Sequence, residues 1–223
     1  MQYEIKGAPL PYVEIQLNPG ESLKCQGGAM SWMSSGLRME TKGGGLGKMF
    51  SKALTGESMF ENIYTADAPG YIAFASSMPG NILAVQIEPG KDMICQKSSY
   101  LAATRGVDIS IFLQKKLGAG FFGGEGFIMQ KLSGSGLVFV EIDGSVEIKD
   151  LAPGEQIQID TGYLAMMEST CTMDIQTVGS VKNALLGGEG LFNTVVRGPG
   201  RVWLQSMPVS KLVASLPLAT PGK

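Results

Sequence analysis

Gly123-Gly124-Glu125-Gly126 returns at Gly187-Gly188-Glu189-Gly190, and Thr55-Gly56-Glu57-Ser58 is an earlier, looser copy. An apolar, helix-like segment leads into each copy and a strand-like segment leads out. A second landmark keeps step with the first. Pro-Gly stands at Pro19-Gly20, Pro89-Gly90 and Pro153-Gly154, and the glutamate follows the Pro-Gly glycine by 37, 35 and 35 residues. Two landmarks that hold one spacing three times mark an internal repeat.

The repeat opens on an alternating strand: Val13, Ile15 and Leu17; Leu83, Val85 and Ile87; Val146 and Ile148. Period-2 apolar spacing predicts a half-buried strand. Pro-Gly ends it in a turn, with proline fixing φ and glycine taking φ above zero. Further short strands follow: Ala29 to Met33 and Leu37 to Thr41, then Tyr100 to Thr104 and Val107 to Ile111, then Tyr163 to Met167 and Met173 to Val178. Leu46, Met49, Phe50, Ala53 and Leu54 change the period to that of an amphipathic helix. Ile109, Phe112, Leu113 and Leu117 predict its counterpart in the second copy, and Val181, Ala184 and Leu185 in the third. A strand pair closes each copy, with turns at Ala68-Pro69-Gly70, Gly134-Ser135-Gly136 and Gly198-Pro199-Gly200. The expected architecture is all-β: three tandem units over 1–75, 76–142 and 143–215, a short helix in each, and a flexible tail at 216–223. A last short helix is expected over Lys211 to Leu216.

Composition agrees. The 223 residues are 44% hydrophobic, enough for a sizeable core, and 31 glycines with 11 prolines suit many strands joined by turns. A net charge of −2 gives no general pull toward nucleic acid or anionic lipid. The absence of histidine removes the commonest general base and metal ligand. Cys25, Cys95 and Cys171 form no CxxC pair, and an odd count points to a reducing, cytoplasmic setting. Cys25 and Cys95 sit at one offset from the turn proline, where the third copy has Ile159. A position that accepts Cys, Cys and Ile is a core position. Trp32 and Trp203 are expected in the core on the same strand argument. Met1 to Leu10 has no basic stretch followed by an apolar run, so neither a signal nor a transit peptide is expected there.

A repeat of about 65 residues buries little core alone, so neighbouring units must cover one another's edges. The first and last still present edges. A homo-oligomeric ring, with a trimer expected, covers them; a monomer closed on a pseudo-threefold axis is the alternative.

The pattern around Leu17-Asn18-Pro19-Gly20-Glu21, the Gly43-Gly44-Gly45-Leu46-Gly47 entry and Phe122-Gly123-Gly124-Glu125-Gly126-Phe127 resembles the altered-inheritance-of-mitochondria family and its uncharacterised prokaryotic relatives, over nearly the whole chain. The resemblance implies three seven-stranded units of double-stranded β-helix type, with a fold like that of the tryptophan RNA-binding attenuation protein (TRAP), in a trimeric ring. Eukaryotic members are mitochondrial and bear on inner-membrane organisation. The family brings no established catalytic residues, and no tryptophan pocket motif is present. No cofactor, tryptophan or RNA ligand is therefore carried over.

Glu57, Glu125 and Glu189 are the sharpest candidate site. Equivalent carboxylates could converge on a hard cation or a cationic partner. Otherwise each braces its own glycine-rich loop by accepting backbone N–H groups. Gly43 to Lys48 lacks the GxxxxGK[ST] spacing of a phosphate loop, because Met49 stands where Ser or Thr is needed. Phe121-Phe122 and Leu185-Leu186 are either core or an exposed apolar rim for a membrane surface or protein partner. With no catalytic set, the expected function is that of a non-enzymatic ring scaffold or adaptor. A small-ligand or ion-binding module with sites between repeats or subunits is the alternative.

Overall fold

The computed structural model describes residues 1–42, 61–115, 126–177, 192–209 and 212. Nineteen strands run through them. β1 (Gln2–Lys6) precedes a first set: β2 (Tyr12–Leu17), β3 (Ser22–Gln26), β4 (Trp32–Met33), β5 (Leu37–Lys42), β6 (Glu61–Ala66) and β7 (Gly70–Ala75). The second set is β8 (Gly80–Ile87), β9 (Met93–Gln96), β10 (Tyr100–Thr104), β11 (Val107–Lys115), β12 (Phe127–Gly134) and β13 (Gly136–Asp143). The third is β14 (Val146–Leu151), β15 (Gln156–Asp160), β16 (Leu164–Glu168), β17 (Thr172–Thr177), β18 (Phe192–Arg197) and β19 (Gly200–Gln205). Single 3-10 turns at Lys97–Ser99 and Thr161–Tyr163 lead into β10 and β16.

Each Pro-Gly pair sits in a turn between strands, before β3, β9 and β15. Gly20, Gly90 and Gly154 take φ of 84°, 81° and 82°, which a residue with a Cβ avoids. In the first and third turns the glutamate after the glycine closes the loop. Glu21 accepts the Asn18 N–H and Glu155 accepts the Ala152 N–H, each at 2.8 Å. In the second turn Lys91 donates to Glu88 at 2.7 Å.

The strands form four antiparallel sheets. Their orders are β1-β2-β7-β4, β5-β6-β3-β10-β13-β8, β11-β12-β9-β16-β19-β14 and β15-β18-β17. Raising every strand number of the second sheet by six gives the third. Each six-stranded sheet thus takes three strands from one set and three from the next. The outer sheets are the corresponding halves: β2-β7-β4, with β1 added, matches β8-β13-β10, and β15-β18-β17 matches β3-β6-β5. Among the described residues no pairing joins β15 to β4.

Three apolar clusters lie between successive sheets. Val13, Ile15, Leu17, Ile72 and Phe74 of the first sheet meet Leu23, Cys25, Tyr64 and Phe139 of the second. Val138, Val140 and Ile142 on the opposite face of the second sheet meet Cys95, Leu132 and Met166 of the third. Leu151, Met167 and Val202 meet Ile159, Ile175 and Val196 of the fourth. Alternation along β13 therefore feeds two cores, with Phe139 facing one and Val138 and Val140 the other. Each fully buried side chain of this size contributes about 1.5–3 kcal/mol.

Two expectations are corrected. The helix expected at Ile109, Phe112, Leu113 and Leu117 is a strand as far as it is described. β11 pairs along its whole length with β12, and a bulge falls between Ile111 and Leu113. The bulge adds one residue, Phe112, which stays exposed. An extra residue in a period-2 strand mimics the i, i+3, i+4 spacing of a helix. Trp32 is 42% exposed rather than core. The helices expected from Leu46 and from Val181 lie outside the described residues. At the far end Val209 and Leu212 carry helical backbone, and the Leu212 N–H donates to the Pro208 carbonyl.

Candidate functional site

Glu57, Glu125 and Glu189 lie outside the described residues, as do Phe121, Phe122, Leu185 and Leu186. The strand pairs that their segments connect are equivalent. Lys42 pairs with Glu61, Lys115 with Phe127 and Thr177 with Phe192 at the ends of β5–β6, β11–β12 and β17–β18.

Among the described residues, a polar cavity opens where the first set meets the second. It holds roughly 370 Å³ and is lined by Gln26, Gly28, Ser77, Ser98, Tyr100 and Glu141, with Leu101 and small residues between. Glu141 on β13 is buried, and its side chain faces the end of β7. It accepts the Ser77 N–H at 2.7 Å, the Ser76 hydroxyl at 2.9 Å and the Ser77 hydroxyl at 3.3 Å. Burial raises its pKa above the ordinary carboxylate range, and these hydrogen bonds pull against that rise. Two residues along the same face, Asp143 is pushed up to about 6 by burial and then by the Glu141 charge, against a hydrogen bond from the Val209 backbone. Tyr100 closes the floor, its hydroxyl donating to the Lys24 carbonyl at 3.0 Å.

The same frame recurs where the second set meets the third, with different chemistry. Gln205 occupies the place of Glu141. Its Oε1 accepts the Asp143 N–H at 3.2 Å, as Glu141 accepts the Ser77 N–H. Its Nε2 donates to the Gly162 carbonyl at 2.9 Å, and Gln96 donates to the same carbonyl at 3.2 Å. Ser98 is the counterpart of Gly162 and Gln26 that of Gln96, by offset from the turn proline. An ionised carboxylate has no proton to give the carbonyl on that side. A group that donates, such as an amine or a guanidinium, suits the acceptors gathered beside Glu141. Nothing in the sequence singled out Glu141; only the pairing of β13 with β8 and β10 aligns it with Gln205.

The second feature is a pair of sheet edges. Among the described residues β4 pairs only with β7, and β15 only with β18. Trp32 on β4 lies edge-on to Tyr12, with ring centroids 5.0 Å apart. Its counterparts Ala102 on β10 and Met166 on β16 are completely buried.

The three cysteines are buried free thiols; burial raises all three and pushes Cys25 and Cys95 up to about 12, which favours the protonated thiol at neutral pH. Among the described residues no group of three or more Cys, Asp or Glu is placed to hold a metal ion. No helix there is long and apolar enough to cross a membrane.

A profile described as mitochondrial biogenesis AIM24 matches residues 3–207. An uncharacterised protein of Streptococcus pyogenes serotype M6 is 29% identical over 216 residues, covering 92% of this chain and 85% of that one. The X-ray crystal structure of a Streptococcus pyogenes protein superposes with a TM-score of 0.80 at 25% identity, covering 96% of this chain and 97% of the other.

Proposed function

We propose that this chain, which belongs to the mitochondrial biogenesis AIM24 family, is a non-enzymatic protein that works by self-assembly, forming a homo-oligomeric ring that serves as a scaffold or adaptor. The supporting observation is the pair of half-sheets at its ends. Each six-stranded sheet is completed by strands from two sets, and the outer sheets have only one set each. Open edges with unpaired backbone groups are a standing liability for a lone chain and a ready joint between copies. A TRAP-like ring of three chains is the expected form. Its client is a membrane surface or a protein, met through the Phe121-Phe122 and Leu185-Leu186 segments. Native mass spectrometry of the full chain tests the assembly. A trimer, or another closed ring, supports it, and a monomer at micromolar concentration overturns it.

The Glu141 cavity supports a second role, in which a small ligand carrying an amine or guanidinium binds between adjoining sets. Stoichiometric extra mass on the wild-type protein, lost in Glu141→Gln, would put this role first.

A further inference from the structure

We infer that copies of this chain join head to tail through one strand pair, β15 of one copy against β4 of the next, in the register Ile157 with Ser34, Gln158 with Met33 and Ile159 with Trp32. This rests on the self-assembly proposed above and specifies its joint. The register is carried over from two joints inside the chain. Where β3 meets β10, Leu23 pairs with Thr104, Lys24 with Ala103 and Cys25 with Ala102. Where β9 meets β16, Met93 pairs with Glu168, Ile94 with Met167 and Cys95 with Met166. Each residue stands at the same offset from its turn proline in both joints, and the same offsets on β15 and β4 give the pairs above. The joined sheet would read β17-β18-β15 followed by β4-β7-β2 of the partner copy, which is the order β5-β6-β3-β10-β13-β8 with its first half raised by twelve and its second half lowered by six.

Three further observations fit the joint. First, one member of the cross-strand pair at this place is a large aromatic in every set: Trp32 opposite Ala73, Phe139 opposite Ala102, and Trp203 opposite Met166. Phe139 packs into the core of the preceding set, and Trp203 packs against the core that precedes its own. Trp32 has no preceding set within its chain and is 42% exposed. In the joint it stands beside Ile159 and covers the last core. Secondly, β4 spans 2 residues where β10 and β16, which are paired on both sides, each span 5. Thirdly, the paired registers of both edges carry none of the charges or prolines that guard solvent-facing edges, and the one charge on β15, Asp160, stands beyond the last pair. Residues 26–37 contain no charge and no proline, and neither do residues 156–159.

The occupant is a second copy, since the edges complement each other and not themselves. The contact is heterologous, and it propagates until the ring closes. Cysteine cross-linking of the full chain tests it, because directly opposed strand residues have Cα atoms within disulfide reach. Met33→Cys protein mixed with Gln158→Cys protein should give a covalent dimer on oxidation, and the double variant a covalent ladder or ring. Met33→Cys mixed with Gln156→Cys, two residues out of register, should give at least about tenfold less. Ser34→Cys with Ile157→Cys is the second pair should the first perturb folding. Trp32→Ala should weaken association by at least about tenfold, the loss expected of a central aromatic anchor. A cross-link within single double-variant chains, with none in the mixture, would overturn the joint in favour of a chain closed on itself. No cross-link in either pair, with the oligomer intact by native mass spectrometry, would overturn this joint and leave self-assembly standing. A monomer would overturn both.

Discussion

Glu141 and Gln205 hold equivalent places on β13 and β19, and each accepts a backbone N–H from the end of the preceding set, Ser77 and Asp143 respectively. Beyond that they diverge. Gln205 also donates to the Gly162 carbonyl and fills its joint. Glu141 carries two acceptors, gathers the Ser76 and Ser77 hydroxyls, and borders a cavity. The exchange of one amide nitrogen for an oxygen separates a structural staple from a candidate binding site. The backbone around them is the same, so variants that treat the two joints alike or differently test the comparison directly.

The largest effects should ignore the difference. Phe139→Ala at the first joint and Met166→Ala at the second each remove a completely buried side chain. Each should cost about 2–5 kcal/mol by denaturant unfolding. A much smaller loss at one joint would mean that its core is not packed as described. The polar positions should then part company. Gln205→Leu strips the Gly162 carbonyl and the Asp143 N–H of one partner each and should cost about 1–3 kcal/mol. Glu141→Gln keeps an acceptor for Ser77 and removes a desolvated charge, so at pH 7.5 its stability should equal or exceed wild type. A loss comparable to that of Gln205→Leu would show that the carboxylate is itself the staple.

The smallest effect is a pH dependence. Asp143 has its folded pKa raised to about 6, from an ordinary value of 3.8. A raised carboxylate stabilises the folded state below the unfolded value, and that stabilisation is lost as pH rises through the folded one. Asp143→Asn should therefore gain on wild type between pH 4 and pH 7, read as a melting-temperature difference that widens as pH rises. A flat difference would place Asp143 in ordinary solvent.

Much of the fold was legible in the sequence because turns announce themselves locally. Pro19-Gly20, Pro89-Gly90 and Pro153-Gly154 require a conformation that few other residues allow, and the strands around them alternate cleanly. β11 was partly lost because its bulge at Phe112 imitates a helical period. β1 went unread although Tyr3 and Ile5 alternate with charge, since both stay substantially exposed. Trp32 was misplaced for a different reason. Its surroundings in sequence are those of a strand, and whether that strand is interior or edge depends on partners far along the chain. Glu141 was illegible on the same ground. Its neighbours in the cavity come from β3, β7 and the turn before β10, and no local pattern brings them together.

The sharing of sheets between successive sets also governs how the chain must reach its native state. The Tyr100 hydroxyl meets the Lys24 carbonyl across 76 residues of sequence, and β3 obtains its second neighbour only from β10. Loops of that length close slowly, so folding should be slow for the chain's size. During synthesis β3 and β9 each emerge well before the strands that cover them. A nascent chain cut after any one set would carry a bare sheet edge, the kind of surface that chaperones hold and that aggregates recruit. How long each edge stays bare should therefore depend on how soon the next set of strands leaves the ribosome.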